Sequence, residues 1–247
     1  MKKRKFVLPA ILILLSIAFF NQSHAYEKIA ANPAAGFYWP YFLYVPEEVT
    51  NIYMLVVSNN SGWPSNDFAY HEEKARFWLQ LYRSWADDLK SPFLIPIFPR
   101  PGKLMDDFDW KVTPQQIERN SLTTKNPRFF RPDLQLIAMI DDARIRLEKL
   151  GIPIDKKILF TGSSTSATFG TRFAALNPNR VKAIAMGANQ PIIPASNWKG
   201  LRLPYPYGVA DLKKLTGKNF DLRSFAKIPQ YSYWGELDYP PLRVHGL

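Results

Sequence analysis

Cysteine is absent from the 247-residue chain. No disulfide can brace the fold, and an export signal of the lipoprotein kind is impossible. Histidine is scarce: His24, His71 and His245 are the only three, so the choice of a general base is narrow. Internal repeats and low-complexity tracts are missing beyond the N-terminus, which leaves out solenoids and disordered linkers. Lys and Arg number 32 against 21 Asp and Glu, a net charge of +11, yet no basic tract follows the first five residues. Four of these charges stand at Lys2, Lys3, Arg4 and Lys5, so +7 remains on the rest, dispersed as a solvated surface. That distribution argues against nucleic acid as a partner.

What is present fits a globular domain. The chain is 47% hydrophobic and 15% aromatic, enough for one sizeable core, and one α/β domain is the default at this length. Behind the basic start lies an apolar run over residues 6–20, then Ser23-His24-Ala25 as a small-x-small cleavage site. This is the pattern of an export signal. The run is short for a spanning helix and is interrupted by Pro9; an uncleaved anchor is the alternative. The expected division is a signal over residues 1–25 and one domain over 26–247. The destination is secreted or periplasmic, with no stable membrane span after cleavage.

The domain reads as alternating strands and helices. Strands are expected over residues 38–45, 52–57, 93–98, 158–161, 181–186 and 231–234, several of them continuous apolar runs of the buried kind. A helix is expected over 67–89, with Ala75, Trp78, Tyr82, Trp85 and Leu89 as its core stripe. A second starts at Pro132 and Asp133 and ends at Gly151, with Leu136, Ile140, Ala143, Leu147 and Leu150 facing the core. Residues 99–131 form a long loop of the functional kind, and 189–229 a Pro-rich cap with two short helices. The alternation implies a mostly parallel sheet with helices on both faces.

The most informative stretch is Gly162-Ser163-Ser164-Thr165-Ser166, placed between a buried strand and a helix. A nucleophile on such a strand-turn-helix needs small residues two before and two after it, because the turn is tight. Gly162 and Ser166 meet that need. Ser164 is then the nucleophile, and the Thr165 backbone N–H, at a helix N-terminus, is an oxyanion donor. The same residues also suit an ordinary Ser-rich helix cap.

This stretch, the following Arg172-Phe173-Ala174-Ala175-Leu176-Asn177-Pro178, the early Tyr41-Phe42-Leu43-Tyr44-Val45-Pro46 and the late Gly235-Glu236-Leu237-Asp238 resemble the α/β-hydrolase superfamily. The nearest members are secreted esterases related to polyhydroxyalkanoate depolymerases and feruloyl esterases. The resemblance implies an order of Ser, acid, then His, with Asp238 as the acid. It departs in three places. The usual His-Gly of the oxyanion loop is replaced by Ser58-Asn59-Asn60-Ser61-Gly62, so Asn59 and Asn60 become the oxyanion candidates, by backbone or side chain. Ser166 replaces the last glycine of the motif. His245 follows Asp238 by only seven residues, too few for the intervening helix and strand. The chain is therefore expected to be short of its last αβ unit, with His245 the remaining candidate base. His71 reads as an exposed helical residue beside Glu72 and Glu73.

The resulting expectation is a serine hydrolase acting on a small or polymeric carboxylic ester through an acyl-enzyme on Ser164. No metal or organic cofactor is implied, and the oligomeric state is open. A non-catalytic protein of the same fold and a peptidase of the same fold are the alternatives. Trp63, Trp110, Phe129, Phe130 and Trp198, all in the long loops, can line an acyl or aryl pocket or simply pack.

Overall fold

The computed structural model describes residues 26–59, 62–102 and 114–237. The signal, Asn60, Trp110, Asp238 and His245 lie outside the described residues.

In chain order the strands are β1 (Glu27–Ile29), β2 (Tyr41–Tyr44), β3 (Met54–Val56), β4 (Phe93–Pro96), β5 (Ile158–Ser163), β6 (Val181–Gly187), β7 (Asn197–Trp198), β8 (Leu201–Arg202) and β9 (Gln230–Tyr233). The helices are α1 (Phe68–Asp88), α2 (Pro132–Lys149), α3 (Thr165–Leu176), α4 (Leu212–Thr216) and α5 (Leu222–Phe225). Seven strands make one sheet in the order β1-β2-β4-β3-β5-β6-β9. β2 runs antiparallel to β1 and β4, and the other neighbours are parallel. β7 and β8 form a small hairpin within the cap.

Local chemistry sets the helix ends. Asp67 caps α1 by accepting from the Ala69 N–H at 2.9 Å. Pro132 opens α2 at a position where its missing N–H is harmless. Gly151, at φ +78°, lets the chain leave α2 in the left-handed region.

The sheet has an apolar layer on each side. α2 and α3 cover one face, packing Leu136, Ile140, Leu147, Phe169 and Phe173 on Met54, Val56, Ile158, Phe160 and Ile184. The rings of Phe160, Phe169 and Phe173 stack with centroids 5.8–6.3 Å apart, each worth roughly 1.5–3 kcal/mol of burial. α1 covers part of the other face, over Phe42, Leu55, Val57, Phe93 and Ile95.

Two expected stripes need correction. On α1 the buried line is His71, Ala75, Leu79, Tyr82 and Ala86, while Trp85 and Leu89 are exposed. Trp78 is only partly buried. On α2 Met139 joins the core and Leu150, past the helix end, is exposed. Among the described residues no helix is long and apolar enough to cross a membrane.

Candidate active site

β5 passes directly into α3, and the junction is Ser164. Its backbone takes φ 57° and ψ −121°, a region that side chains other than glycine rarely occupy and that persists only where neighbours enforce it. Here they do. The Ser164 N–H donates to the Gly187 carbonyl on β6 at 2.9 Å, and its carbonyl accepts the Thr168 N–H at 2.9 Å. A Cβ on Gly162 would lie 2.3 Å from the Ser166 Oγ and 3.0 Å from its backbone carbonyl carbon, so only glycine fits two residues before the turn. The result is an exposed Ser164 between a buried Thr161-Gly162 and a buried Thr165-Ser166. Thr165 begins the helix, where the first backbone N–H groups have no intrahelical acceptor.

β3 lies beside β5, which brings the loop after β3 to the same edge. The Ser58 Oγ sits 3.3 Å from the Ser166 Oγ. The next residue, Asn59, is buried, and its side chain is committed elsewhere: Nδ2 donates to the Phe98 carbonyl at 2.8 Å and Oδ1 accepts the Phe98 N–H at 3.0 Å. The carboxamide thus ties the loop after β3 to Phe98, just past the end of β4.

The loop after β4 closes a third side. Gln115 Nε2 donates to the same Phe98 carbonyl at 2.7 Å. Gln116 Nε2 donates to the Thr165 Oγ1 at 3.3 Å, one residue past Ser164. Arg172, buried on α3, holds this loop: its Nη1 donates to the Gln116 carbonyl at 2.8 Å and to Glu118 Oε1 at 2.9 Å, and its Nη2 donates to Gln190 Oε1 at 3.2 Å. The cap docks beside it. Arg119 pairs with Asp211 at 2.5 Å, and the buried Tyr205 hydroxyl donates to the Ile117 carbonyl. Burial pushes the Tyr205 phenol well above its ordinary range. Burial pushes the Asp211 carboxyl up as well, but the Tyr205 N–H and the Arg119 guanidinium outweigh it and hold it below the usual carboxylate range.

The mostly parallel sheet flanked by helices is shared with solved structures. The chain matches poly(aspartic acid) hydrolase-1 from Sphingomonas sp. KT-1 with a TM-score of 0.57 and 16% identity, over 86% of this chain and 72% of that one. It matches LpqC, a poly(3-hydroxybutyrate) depolymerase from Bordetella parapertussis, with a TM-score of 0.53 and 14% identity, over 86% of this chain and 66% of that one. This chain has the α/β-hydrolase fold. It spans just under two thirds of the depolymerase's length. No protein-family profile matches the chain, and no curated protein matches it in sequence.

Thr165 follows Ser164 at the turn, Asn59 follows the Ser58 that contacts Ser166, and Asp238, His245 and Asn60 fall outside the described residues. Among the described residues no histidine is hydrogen-bonded to Ser164. His71 is not exposed, as its sequence neighbours imply, but buried. Its Nε2 lies 2.8 Å from the Ser65 carbonyl, which requires the hydrogen on Nε2, so Nε2 cannot also accept from the Arg100 N–H at 3.4 Å. Nδ1 is then a bare, buried lone pair with no hydrogen-bond partner among the described residues. Burial outweighs the Ser65 hydrogen bond and lowers the His71 pKa below its ordinary value.

The described loop aromatics differ in their settings. Phe129 is a core residue packed on Trp39, and Trp63 and Trp198 are exposed. An open cavity of about 470 Å³ lies in the cap, lined by Pro194, Val209, Lys213, Phe220 and Leu222 among others, and no candidate site residue lines it. Among the described residues no group of three or more His, Asp or Glu converges as metal ligands do. Sequence reasoning missed Gln116 and Arg172. The available signal was a charge at Arg172, one residue before Phe173 on the helix that must bury its face against β5.

Proposed function

We propose that this chain is a serine hydrolase of carboxylic esters that works through an acyl-enzyme on Ser164. The observation that carries the reading is Ser164 itself, exposed at φ 57° on the β5–α3 turn with glycine enforced at position 162. In this reading the Ser164 Oγ attacks the ester carbonyl carbon, and the carbonyl oxygen becomes an oxyanion held by the Thr165 and Asn59 backbone N–H groups. A histidine takes the Ser164 proton and gives it to the departing alcohol, and water then hydrolyses the acyl-enzyme. Asp238, five residues beyond β9, orients that histidine, and His245 is the candidate that follows it in the chain. Both solved neighbours are named for the hydrolysis of polymers, one a polyamide and one a polyester, which favours an extended substrate. The protein acts outside the cytoplasm, after removal of residues 1–25.

The test uses a fluorophosphonate probe and short p-nitrophenyl esters, then poly(3-hydroxybutyrate). Ser164→Ala abolishes labelling and lowers turnover by at least ~10⁴-fold. His245→Ala lowers turnover while Ser164 remains in place. Labelling that persists in Ser164→Ala refutes the assignment. One observation favours a second reading, a non-catalytic protein of the same fold: no described histidine reaches Ser164. Under that reading wild type and Ser164→Ala are equally inactive on every ester.

A further inference from the structure

The net charge that reads as dispersed along the chain gathers in one part of the fold. Residues 189–229, the cap, hold seven Lys and Arg against two Asp: Lys199, Arg202, Lys213, Lys214, Lys218, Arg223 and Lys227 against Asp211 and Asp221. The cap therefore carries five of the seven net positive charges beyond Lys5. The other residues beyond Lys5, with twenty-one basic and nineteen acidic, are nearly balanced. Both acids of the cap are engaged: Asp211 pairs with Arg119 at 2.5 Å, and Asp221 accepts the Ser224 N–H at 2.9 Å. All seven cations are exposed, and among the described residues none of them forms an ion pair. Neighbouring segments do not supply the missing acid. The loop against which the cap docks, residues 99–131, has seven Lys and Arg against four Asp and Glu, and residues 238–247 have one Arg and one Asp. An apolar element laid over the cap would strip these cations of water and give them no partner, which is strongly unfavourable. The cover that suits the cap is water or an anionic partner.

The β7–β8 hairpin narrows the choice of partner. Lys199 at φ 49° and Gly200 at φ 82° make its two-residue turn, both in the left-handed region that matches the twist of a tight hairpin. The Gly200 N–H donates to the Asn197 Oδ1 at 3.1 Å. Trp198 and Leu201 are register partners, and so are Asn197 and Arg202, so the two pairs lie on opposite faces of the ribbon. Arg202 donates to the Ala210 carbonyl at 3.5 Å, which turns its face to the body of the cap. The other face presents Trp198 and Leu201 outwards, 58% and 47% exposed, next to Lys199 in the turn. The stem of the hairpin, α4 and the start of α5 meet around the open cavity of the cap, where Ser196, Lys213 and the exposed Leu222 stand together. Apolar side chains and unpaired cations are interleaved on this surface.

We propose that the cap is a docking surface for an anionic lipid bilayer, with Trp198 and Leu201 entering the headgroup region and the surrounding lysines facing the lipid phosphates. A soluble polyanion answers the charges but leaves the Trp198–Leu201 pair in water. A bilayer offers anions and an apolar phase in one plane, the setting in which Trp, Leu and Lys are used together at a membrane boundary. The protein then rests on the membrane without crossing it. The inference makes no use of Ser164 and stands apart from the hydrolase reading.

The experiment is vesicle sedimentation with residues 26–247. The described fold lies wholly within them, and the basic, apolar residues 1–25 would bind lipid by themselves. The vesicles are phosphatidylcholine alone, or phosphatidylcholine with an equal part of phosphatidylglycerol. Binding is expected to the anionic vesicles and not to the neutral ones, and it weakens as salt rises. Lys213→Glu/Lys214→Glu lowers the partition coefficient by at least ~30-fold, and Trp198→Ala lowers it by roughly 10-fold. Brominated lipid quenches tryptophan fluorescence in the bound protein. Trp198→Phe keeps the binding and loses most of the quenching, a signature that neither misfolding nor docking through another face imitates. The readout contains no ester turnover, so an inactive Ser164 leaves it untouched. Three results overturn the proposal: no preference for anionic vesicles, quenching that survives Trp198→Phe, or soluble polyglutamate bound as tightly as vesicles with no loss in Trp198→Ala. The last assigns the cap to a soluble polyanion instead.

Discussion

The sheet has the same strands on both faces but two different coverings. Under α2 and α3, Phe98, Phe160, Phe169 and Phe173 are fully enclosed, and the Ser164 turn is clamped from β6, from the Ser58 loop and from the Gln116 loop. Under α1, the enclosed part ends near β3 and Leu159, and among the described residues Ala183 and Ala185 are half-buried and Tyr231 exposed. Hydrophobic residues occur on both faces, so composition does not separate them. What separates them is whether a second element lies over the side chains, and the strained turn is built where that cover is complete. A backbone in a costly conformation needs rigid neighbours on several sides, and only one half of the molecule supplies them.

Four substitutions test this contrast, the largest effect first. Phe169→Ala empties a fully buried ring from the sealed face and lowers unfolding free energy by about 3–5 kcal/mol, read by urea denaturation. Gly162→Ala leaves the fold standing but forces Ser166 away from the new methyl group. Misplacing Ser164 by a fraction of an ångström reduces fluorophosphonate labelling rate by on the order of 10²-fold. A smaller effect comes from His71, under the loops after β3 and β4. Its folded pKa is below the unfolded value of about 6.5, so only the unfolded state takes up the proton as pH falls below that value. The contribution is complete above about pH 6.5 and is lost towards the folded pKa, so melting temperature falls on acidification. In His71→Gln that part of the pH dependence disappears. Smallest of all, Phe77→Ala changes unfolding free energy by no more than about 0.5 kcal/mol, because the ring is already half in water. A large loss there means that this flank of α1 is sealed after all.

Much of the fold was legible in the sequence because its signals are local. The buried run at β3 has no polar side to confuse it, and Gly162-x-Ser164-x-Ser166 between a strand and a helix is a local geometric demand. The stripe on α1 was misassigned for an equally physical reason. Trp78, Trp85 and Leu89 are large and apolar at helical spacing, and periodicity assumes that every such flank finds a cover. The true buried line passes through His71, a polar residue that no hydrophobic count selects. Gln116 and Arg172 were invisible for another reason: their roles depend on a loop folding back across some fifty residues to reach α3, and no local pattern encodes that return.

The carbonyl of Phe98 accepts from both Asn59 and Gln115. One oxygen thus ties together two segments that leave the sheet from neighbouring strands. Neither can swing away alone without stripping a buried donor of its acceptor, a loss of about 1–3 kcal/mol. The two are therefore a single moving part. Any opening that admits a bulky substrate to Ser164 lifts both at once, and amide hydrogen exchange across residues 58–59, 98 and 115–116 should proceed at one common rate rather than three.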